Sequence, residues 1–198
     1  MAKTIDARKM ECPAPVMLTA QAIKENAEVT TIVDNKTAED NVAEFARSQG
    51  FAVATEQKND GTYLTLTKMA EKPKEEAKPV SAPATTAGIV VFIASDIIGR
   101  GENTALGSLL MQSFLHTVGG LNVKPETIIF MNNGVKLVTF DSPVLADLKE
   151  LDKQGIEIIA CGTCLSRLEL ADKVGVGKVS NMYTIAETLL KASKVVPL

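Results

Sequence analysis

The pentapeptide Glu11-Cys12-Pro13-Ala14-Pro15 is the stretch of this sequence best suited to sulfur chemistry. Proline fits the first position of a helix, where its missing N–H would have no partner anyway. We therefore predict Cys12 at the N-cap of a helix that runs from Pro13 to about Glu25. The positive end of a helix dipole favours a thiolate over a thiol, and the thiolate is the nucleophile. The apolar face of this helix is predicted to consist of Val16, Met17, Ala20 and Ile23.

Charges near Cys12 act in both directions. Arg8 and Lys9 would support a thiolate, whereas Glu11 would oppose it. In an alternative interpretation, Cys-Pro merely opens a buried helix and the sulfur is a small apolar filler. The spacing alone leaves both interpretations open.

A second sulfur motif, Cys161-Gly162-Thr163-Cys164, directly follows a predicted buried strand and opens a predicted helix. Ligands of parallel α/β folds bind at the carboxyl edge of the sheet, where this motif would lie. Two thiols three residues apart at a helix N-terminus can share a perturbed pKa and react with each other. A zinc site is disfavoured, because only Cys12 and His116 remain as further ligands and neither has ligand spacing. An incidental buried pair is disfavoured because Gly162 and Thr163 predict a small, accessible turn.

Two other loops are expected at the same edge. The first, 95–101, contains Gly99-Arg100-Gly101 and lacks the third glycine of a dinucleotide loop, so we interpret it as a turn with Arg100 as a candidate anion contact. The second contains Asn132 and Asn133, for which a turn-forming role is favoured over a role in binding. His116 is interpreted as a surface or interface residue, and Ser113 has no triad partner.

Composition excludes several classes of function. The 198 residues carry a net charge of −3, and aromatic residues make up 4%. Nucleic-acid binding therefore has neither a basic footprint nor stacking side chains to support it. We expect no membrane association, because neither a signal-like run nor a bilayer-spanning run is present. Three cysteines make a poor disulfide framework and indicate a reducing cytoplasm, and no cofactor or metal is expected.

The elements that position Cys12 follow the order β-α-β-α-β-β in residues 1–68. This order predicts a two-layer sandwich in which two helices cover one face of a four-stranded mixed sheet. Thr37 is the predicted cap of the second helix and Gly50 its stop, and Asp60-Gly61 is the predicted hairpin turn. The predicted strands are Lys3–Asp6, Val29–Val33, Phe51–Glu56 and Tyr63–Thr67.

Residues 69–87 are rich in charge and proline and predict a flexible linker. Residues 88–198 alternate apolar strands with helices, which predicts a parallel doubly wound α/β domain. The predicted strands are Ile89–Ile93, Thr127–Met131 and Ile156–Ala160. The predicted helices are a long one ending at Gly119-Gly120, then Ser142–Lys153, Cys164–Val174 and Met182–Lys191. The long helix is predicted to face inward with Leu106, Leu109, Leu110, Ser113, Phe114 and Thr117. The segment 135–140 is interpreted as a loop.

Both halves resemble known families. Cys12-Pro13-Ala14-Pro15, preceded by Ile5-Asp6-Ala7-Arg8, resembles the Cys-Pro-x-Pro signature of SirA/TusA-like sulfur carriers, with Lys9 where that family usually has glycine. The second half is similar to DsrE-like domains. The runs 133–137, 155–158 and 161–165 resemble the YedF proteins, which join both domains in one chain and are associated with selenium metabolism.

The resemblance implies a sulfurtransferase-like relay of sulfur or selenium between donor and acceptor proteins. It implies that Cys12 bears the persulfide, with Cys161, or less surely Cys164, as the second thiol. It also implies a homo-oligomer formed through the DsrE-like domain. We expect Pro13, Pro15, Arg8, Arg100, Asn132 and Asn133 to support these sites. One alternative is a non-enzymatic oligomeric binding or sensor protein. Another is a thiol–disulfide oxidoreductase, although Thr163 stands where thioredoxin-like motifs usually have proline.

Overall fold

The computed structural model describes residues 3–11, 13–69, 87–99 and 103–198. The chain divides into two compact units, and the main boundary falls between Thr85 and Thr86. Both units are α/β folds, as the sequence predicts. Most of the predicted linker lies outside the described residues.

The N-terminal unit is a four-stranded sheet with two helices. Counted along the chain, the strands lie in the order first, second, fourth and third; the first two are parallel and the other neighbours are antiparallel. This arrangement confirms the predicted mixed sheet. Its core is built from the inner faces of both helices and the central strands, including Val16, Val29, Val42, Phe45, Leu64 and Leu66. The elements are β1 (Lys3–Asp6), α1 (Ala14–Glu25), β2 (Glu28–Val33), α2 (Lys36–Ser48), β3 (Phe51–Lys58) and β4 (Gly61–Lys68).

Two local predictions in this unit are wrong by one or two residues. Helix α2 is capped by Asn35, whose Oδ1 accepts the Ala38 N–H at 2.8 Å, and not by Thr37. The hairpin turn is formed by residues 59 and 60, because Gly61 already pairs with Lys58. Gly61 is nonetheless required there, since a Cβ would lie 2.6 Å from the Val33 carbonyl oxygen.

The buried face of α1 differs from the predicted one at Met17. That side chain is 57% exposed, whereas Val16 and Ala20 are buried. The position between them on the inner face belongs to Thr19, whose hydroxyl donates to the Pro15 carbonyl at 2.8 Å and lies 3.0 Å from the Thr31 hydroxyl. A polar residue that satisfies its hydrogen bonds locally can thus replace an apolar one in the core.

The C-terminal unit contains a five-stranded, fully parallel sheet, in which the unit's strands lie in the order fourth, third, second, first and fifth. This sheet confirms the predicted parallel α/β class, and its two outer strands, the fourth and the fifth, were not predicted. Its strands are β5 (Ala87–Ile93), β6 (Thr127–Phe130), β7 (Glu157–Cys161), β8 (Lys178–Ser180) and β9 (Ala192–Pro197). Its helices are α3 (Thr104–Gly120), α4 (Leu145–Lys153), α5 (Gly162–Arg167) and α6 (Met182–Lys191), with 3-10 helices at Asn132–Val138 and Ala171–Lys173.

The segment interpreted as a loop is largely the 3-10 helix Asn132–Val138, which is wound tightly against the sheet. Val135, Leu137 and Val138 are buried. A Cβ on Gly134 would lie 2.4 Å from the Ile93 carbonyl oxygen, so only glycine allows this close approach. The predicted helix 164–174 is likewise replaced by the shorter α5 and a separate 3-10 turn.

The predicted inner face of α3 is wrong. The buried residues are Gly107, Met111, Leu115 and Val118, with Phe114 half-buried against the core. The helix instead exposes a leucine face, which consists of Leu106 (50% exposed), Leu109 (59%) and Leu110 (45%). Ser113 and Thr117 are also exposed.

Close backbone packing at Gly107 explains why α3 buries this face and exposes the leucine face. The Gly107 carbonyl accepts the Ile98 N–H at 3.0 Å, and a Cβ on Gly107 would lie 2.9 Å from the Ile98 carbonyl oxygen. The small residue therefore has to face the loop that follows β5. Among the described residues, no helix combines the length and the apolar character that crossing a membrane requires.

Candidate functional site

Three strand-end loops of the C-terminal unit come together at one edge of its sheet. Strands β7, β6 and β5 are parallel neighbours, so their carboxyl ends lie side by side. The Asn132 backbone N–H, just after β6, donates to Cys164 Sγ at 3.2 Å. Lys136 Nζ pairs with Asp96 Oδ2 at 3.3 Å and so links the β6 loop to the β5 loop. The edge predicted from the strand order therefore brings both cysteines, Asn132 and these two charges into one neighbourhood.

Cys161 is the buried sulfur of this site. It ends β7, pairs with Ser180 of β8 and is 1% exposed. Burial raises the pKa of the Cys161 thiol to about 12, although backbone N–H groups of Cys164 and Thr163 partly oppose the shift. At neutral pH Cys161 is therefore a protonated thiol.

Cys164 is the more accessible of the two sulfurs. It is half-buried and is a free cysteine, like Cys161. It lies in the first turn of α5, three residues after Cys161, which is the N-cap of that helix. The Asn132 N–H that donates to this sulfur fixes its position at the edge of the sheet.

The turn between the two cysteines is less open than predicted. Gly162 is buried, and Thr163 is only partly exposed. The Thr163 hydroxyl oxygen is buried and has no hydrogen-bond partner within the described part of the chain. An unpaired buried hydroxyl costs free energy, so this residue is held in place by the backbone around it.

The asparagines differ in their roles. Asn132 has φ +46°, the left-handed conformation that asparagine tolerates, which confirms its turn-forming role. Its backbone and not its side chain contacts the sulfur. Asn133 is half-buried in the same 3-10 helix. Arg100 lies outside the described residues.

The ion pair Lys136–Asp96 was not identified from the sequence. Both residues stand in segments that were interpreted as loops, and no motif marks either of them. The strand order was the only available signal, since it places the ends of β5 and β6 side by side.

At the start of α1, Pro13 and not Cys12 is the N-cap. The Pro13 carbonyl accepts the first helical hydrogen bond, from the Met17 N–H at 3.0 Å. Pro15 lies in the first turn and is buried. The predicted N-cap position of Cys12 is therefore wrong by one residue, and the structure of Cys12 itself lies outside the described residues.

Family comparisons assign both units. Residues 3–68 match the family model for sulfurtransferase TusA, and residues 101–198 match the DsrE/DsrF-like family. The chain joins an N-terminal TusA/SirA domain to a C-terminal DsrE-like domain.

Individual relatives cover parts of the chain. The uncharacterized protein MJ0760 of Methanocaldococcus jannaschii is 27% identical over 172 residues, which are 80% of this chain and 59% of that protein. The chain thus spans less than two thirds of this relative. A SirA-like protein from Desulfitobacterium hafniense is 30% identical, with a TM-score of 0.31, and the match covers 34% of this chain and 96% of that one. The ychN protein of E. coli is 15% identical, with a TM-score of 0.40, and the match covers 58% and 100% of the two chains.

In the TusA/SirA domain, Arg8 is held by two carboxylates. Its guanidinium donates to Asp6 Oδ1 through Nε at 2.8 Å and to Asp60 Oδ2 through Nη1 at 2.8 Å. The hydrogen bonds from Arg8 lower the pKa of Asp6 to about 2. The positive charge that was expected to support Cys12 is thus already paired, and it ties the end of β1 to the β3–β4 turn.

Lys9 occupies a backbone conformation that favours glycine. Its φ is +60°, which gives a physical reason for the glycine usual at this position in the family. The Lys9 N–H donates to Asp34 Oδ2 at 2.7 Å, so the loop before Cys12 is fastened to the loop after β2. Asp34 was not identified from the sequence.

The described residues contain no cluster of three or more His, Cys, Asp and Glu side chains able to hold a metal ion. His116 is exposed on α3, and its Nδ1 lies 2.8 Å from Asp147 Oδ1. Its interpretation as a surface residue is confirmed.

Proposed function

We propose that this protein relays sulfane sulfur, or selenium, through cysteine persulfides or their selenium analogues. In the first step the Cys12 thiolate attacks the outer sulfur of a donor persulfide. The donor S–S bond breaks, the donor leaves as a thiolate, and Cys12 becomes a persulfide. In the second step a thiolate of the Cys161–Cys164 pair attacks the outer atom of the Cys12 persulfide, the bond between that atom and Cys12 Sγ breaks, and Cys12 leaves as a thiolate.

The observation that carries this proposal is the thiol pair at the sheet edge. Cys164 and Cys161 are free, adjacent sulfurs, and a backbone N–H points at one of them. A TusA/SirA domain in the same chain supplies a second carrier thiol. The predicted linker of about 20 residues would span ~25 Å and keep the two sites at a millimolar effective concentration.

The YedF resemblance favours a place for this chemistry in selenium metabolism. Free thiols suit a reducing compartment, so we assign the protein to the cytoplasm. Partner proteins need a surface near Cys12, and the exposed Met17 side chain in the first turns of α1 offers an apolar one.

Intact-mass measurement tests the relay. The full chain and its Cys12→Ser and Cys161→Ala/Cys164→Ala variants are incubated with a cysteine desulfurase and cysteine, and separately with the same desulfurase and selenocysteine, which supplies selenium as an enzyme-bound perselenide. We expect adducts of one sulfur or one selenium that depend on these cysteines. The relay is refuted if the wild type gains no atom, or if Cys12→Ser is loaded as fast as the wild type by the desulfurase.

A second candidate function is oligomeric binding without turnover, and the leucine face of α3 favours it. The 17 residues of α3 include no Asp, Glu, Lys or Arg. A second copy of the same face would meet it without like-charge repulsion, as a symmetric interface requires. We therefore propose that this face joins copies of the chain into a homo-oligomer.

Sedimentation velocity distinguishes this interface from general surface stickiness. We expect Leu109→Glu to shift the chain toward monomer, because it places a charge in the centre of the leucine face. Leu190→Glu is the matched control, since Leu190 is 88% exposed on α6. If both variants showed the same distribution of monomer and oligomer, the leucine face would be rejected as the interface between copies. Stoichiometric binding of sulfide or selenide by an oligomer that passes nothing to an acceptor would favour binding over relay.

A further inference from the structure

We propose that Cys164 is the thiol of the DsrE-like domain that accepts sulfur, and that Cys161 is the internal thiol that releases it as sulfide. This assignment rests on the proposed relay. The family resemblance favours Cys161 as the thiol that receives the sulfur, whereas here that thiol is Cys164. The assignment also gives the domain a defined reaction, the reductive discharge of sulfane sulfur.

Access separates the two sulfurs. A transferred sulfur atom must come into line with the attacking thiolate, so the acceptor has to be reachable from outside. Cys161 is 1% exposed and lies within the parallel sheet, between β6 and β8. Cys164 stands one helical turn further on and is half-buried.

The surroundings of the two sulfurs differ as well. The Asn132 N–H donates to Cys164 Sγ and holds this sulfur in place at the edge of the sheet. Burial keeps Cys161 protonated at neutral pH. A protonated thiol is a poor nucleophile, so Cys161 does not compete for the incoming donor.

The discharge step balances within the pair. The Cys161 thiol gives its proton to the outer sulfur of the Cys164 persulfide as its own sulfur attacks Cys164 Sγ. An S–S bond forms between the two cysteines, and the bond from Cys164 Sγ to the outer sulfur breaks. The outer sulfur takes up two electrons and leaves as hydrogen sulfide, together with the protons of the Cys161 thiol and of the persulfide. The two cysteines are oxidised to a disulfide, which an external dithiol must reduce before the next cycle.

The places of the two cysteines in the chain make this step intramolecular. Cys161 is the N-cap of α5 and Cys164 lies in the first turn of the same helix, so little chain movement is needed for attack. Closing the disulfide consumes the only thiol pair of the domain. Each chain should therefore release one sulfide and stop until a dithiol is supplied.

The test uses the full chain with Cys12→Ser, so that both remaining thiols belong to the DsrE-like domain. Glutathione persulfide is the donor, and sulfide release and intact mass are followed together. We expect this parent to release one sulfide per chain and to lose two hydrogens, and dithiothreitol should restart release. Adding Cys161→Ala should trap one extra sulfur on Cys164 and slow release roughly tenfold or more. Adding Cys164→Ala should abolish both loading and release.

Other outcomes distinguish a failure of the cysteine assignment from a failure of the sulfur relay on which it rests. Sulfur that lodges on Cys161 in the Cys164→Ala variant at the rate of the parent would overturn the new assignment and leave the relay standing. Full-speed release from the Cys161→Ala variant would do the same. No loading of the parent at all would reject the DsrE-like domain as a relay station, and the assignment with it.

A measurement without core substitutions guards against misfolded variants. Limiting N-ethylmaleimide is added to the Cys12→Ser chain, and the labelled peptides are identified. We expect Cys164 to be labelled first and its labelling to block sulfur uptake. Labelling of Cys161 before Cys164 would overturn the proposal.

Discussion

Replacing Lys9 by glycine should stabilise the TusA/SirA domain. Lys9 has φ +60°, a conformation that costs a residue with a Cβ about 1–2 kcal/mol. Glycine removes that cost but adds about 0.4–1 kcal/mol of entropy to the unfolded chain. The N–H bond to Asp34 is a backbone interaction and is retained. The net gain expected is about 0.5–1 kcal/mol.

Hydrogen exchange followed by mass spectrometry measures this gain domain by domain in the full chain. Amides of β2 and β4 report on the TusA/SirA domain, and their exchange by unfolding should slow roughly 2–5-fold. Amides of β6 and β7 serve as an internal reference and should not change. In a thermal scan the transition of this domain should rise by ~2–8 °C.

Lys9→Ala is the matched control, because alanine removes the charge but keeps the backbone strain. We expect Lys9→Ala to leave the exchange rates near those of the wild type. If alanine stabilises the domain as much as glycine does, the effect comes from the lysine side chain and the strain explanation fails. A destabilised Lys9→Gly variant would refute it outright.

Three further predictions concern both domains. Gly134→Ala should destabilise the DsrE-like domain by about 1–3 kcal/mol and slow sulfur loading, because the new Cβ would lie 2.4 Å from the Ile93 carbonyl oxygen; wild-type melting and loading would contradict this. Thr163→Val should stabilise that domain by about 1 kcal/mol in urea unfolding, because it removes an unpaired buried hydroxyl, and a loss of stability would mean that the hydroxyl has a partner. The pKa of Asp6 is lowered to about 2, so the stabilisation from its pairing with Arg8 is complete above its ordinary pKa of 3.8 and is lost as the pH falls from there toward 2. Asp6→Asn should therefore flatten the exchange rates of β1 against pH in that window, and an unchanged profile would count against the pairing.

The strand and helix order could be read from the sequence because burial imposes a period on each element. The continuous apolar runs at β5, β6 and β7 are typical of a parallel sheet that is covered on both faces. The outer strand β8 is only three residues long. Strand β9 is mostly exposed and follows α6 without a turn signal. Both lack the apolar run that marks a central strand.

The buried face of α3 could not be predicted from the sequence, because the helix has apolar residues around most of its circumference. Leu106, Leu109 and Leu110 form as good a stripe as Met111, Leu115 and Val118. The choice is made by the contact of Gly107 with Ile98, a long-range feature of the backbone. A glycine within a helix is the one local sign of such a contact.

The two sulfurs of the CxxC motif could be found from the sequence, but the sequence did not show which of them is the more accessible. Spacing places both at the end of β7, yet their burial depends on β8 and on the loop at Asn132. The same holds for Asp34 and for the Lys136–Asp96 pair, whose partners are distant in sequence. Motifs locate reactive atoms, whereas access to those atoms is set by non-local packing.

The absence of Asp, Glu, Lys and Arg from α3 has a thermodynamic consequence. The one titratable side chain of this helix is His116, which lies against Asp147, so contacts made through the leucines should depend only weakly on ionic strength. They should instead weaken on cooling and carry a negative heat-capacity change, as the transfer of hydrocarbon out of water does. Temperature, and not salt, is the variable that would govern how this helix meets its neighbours.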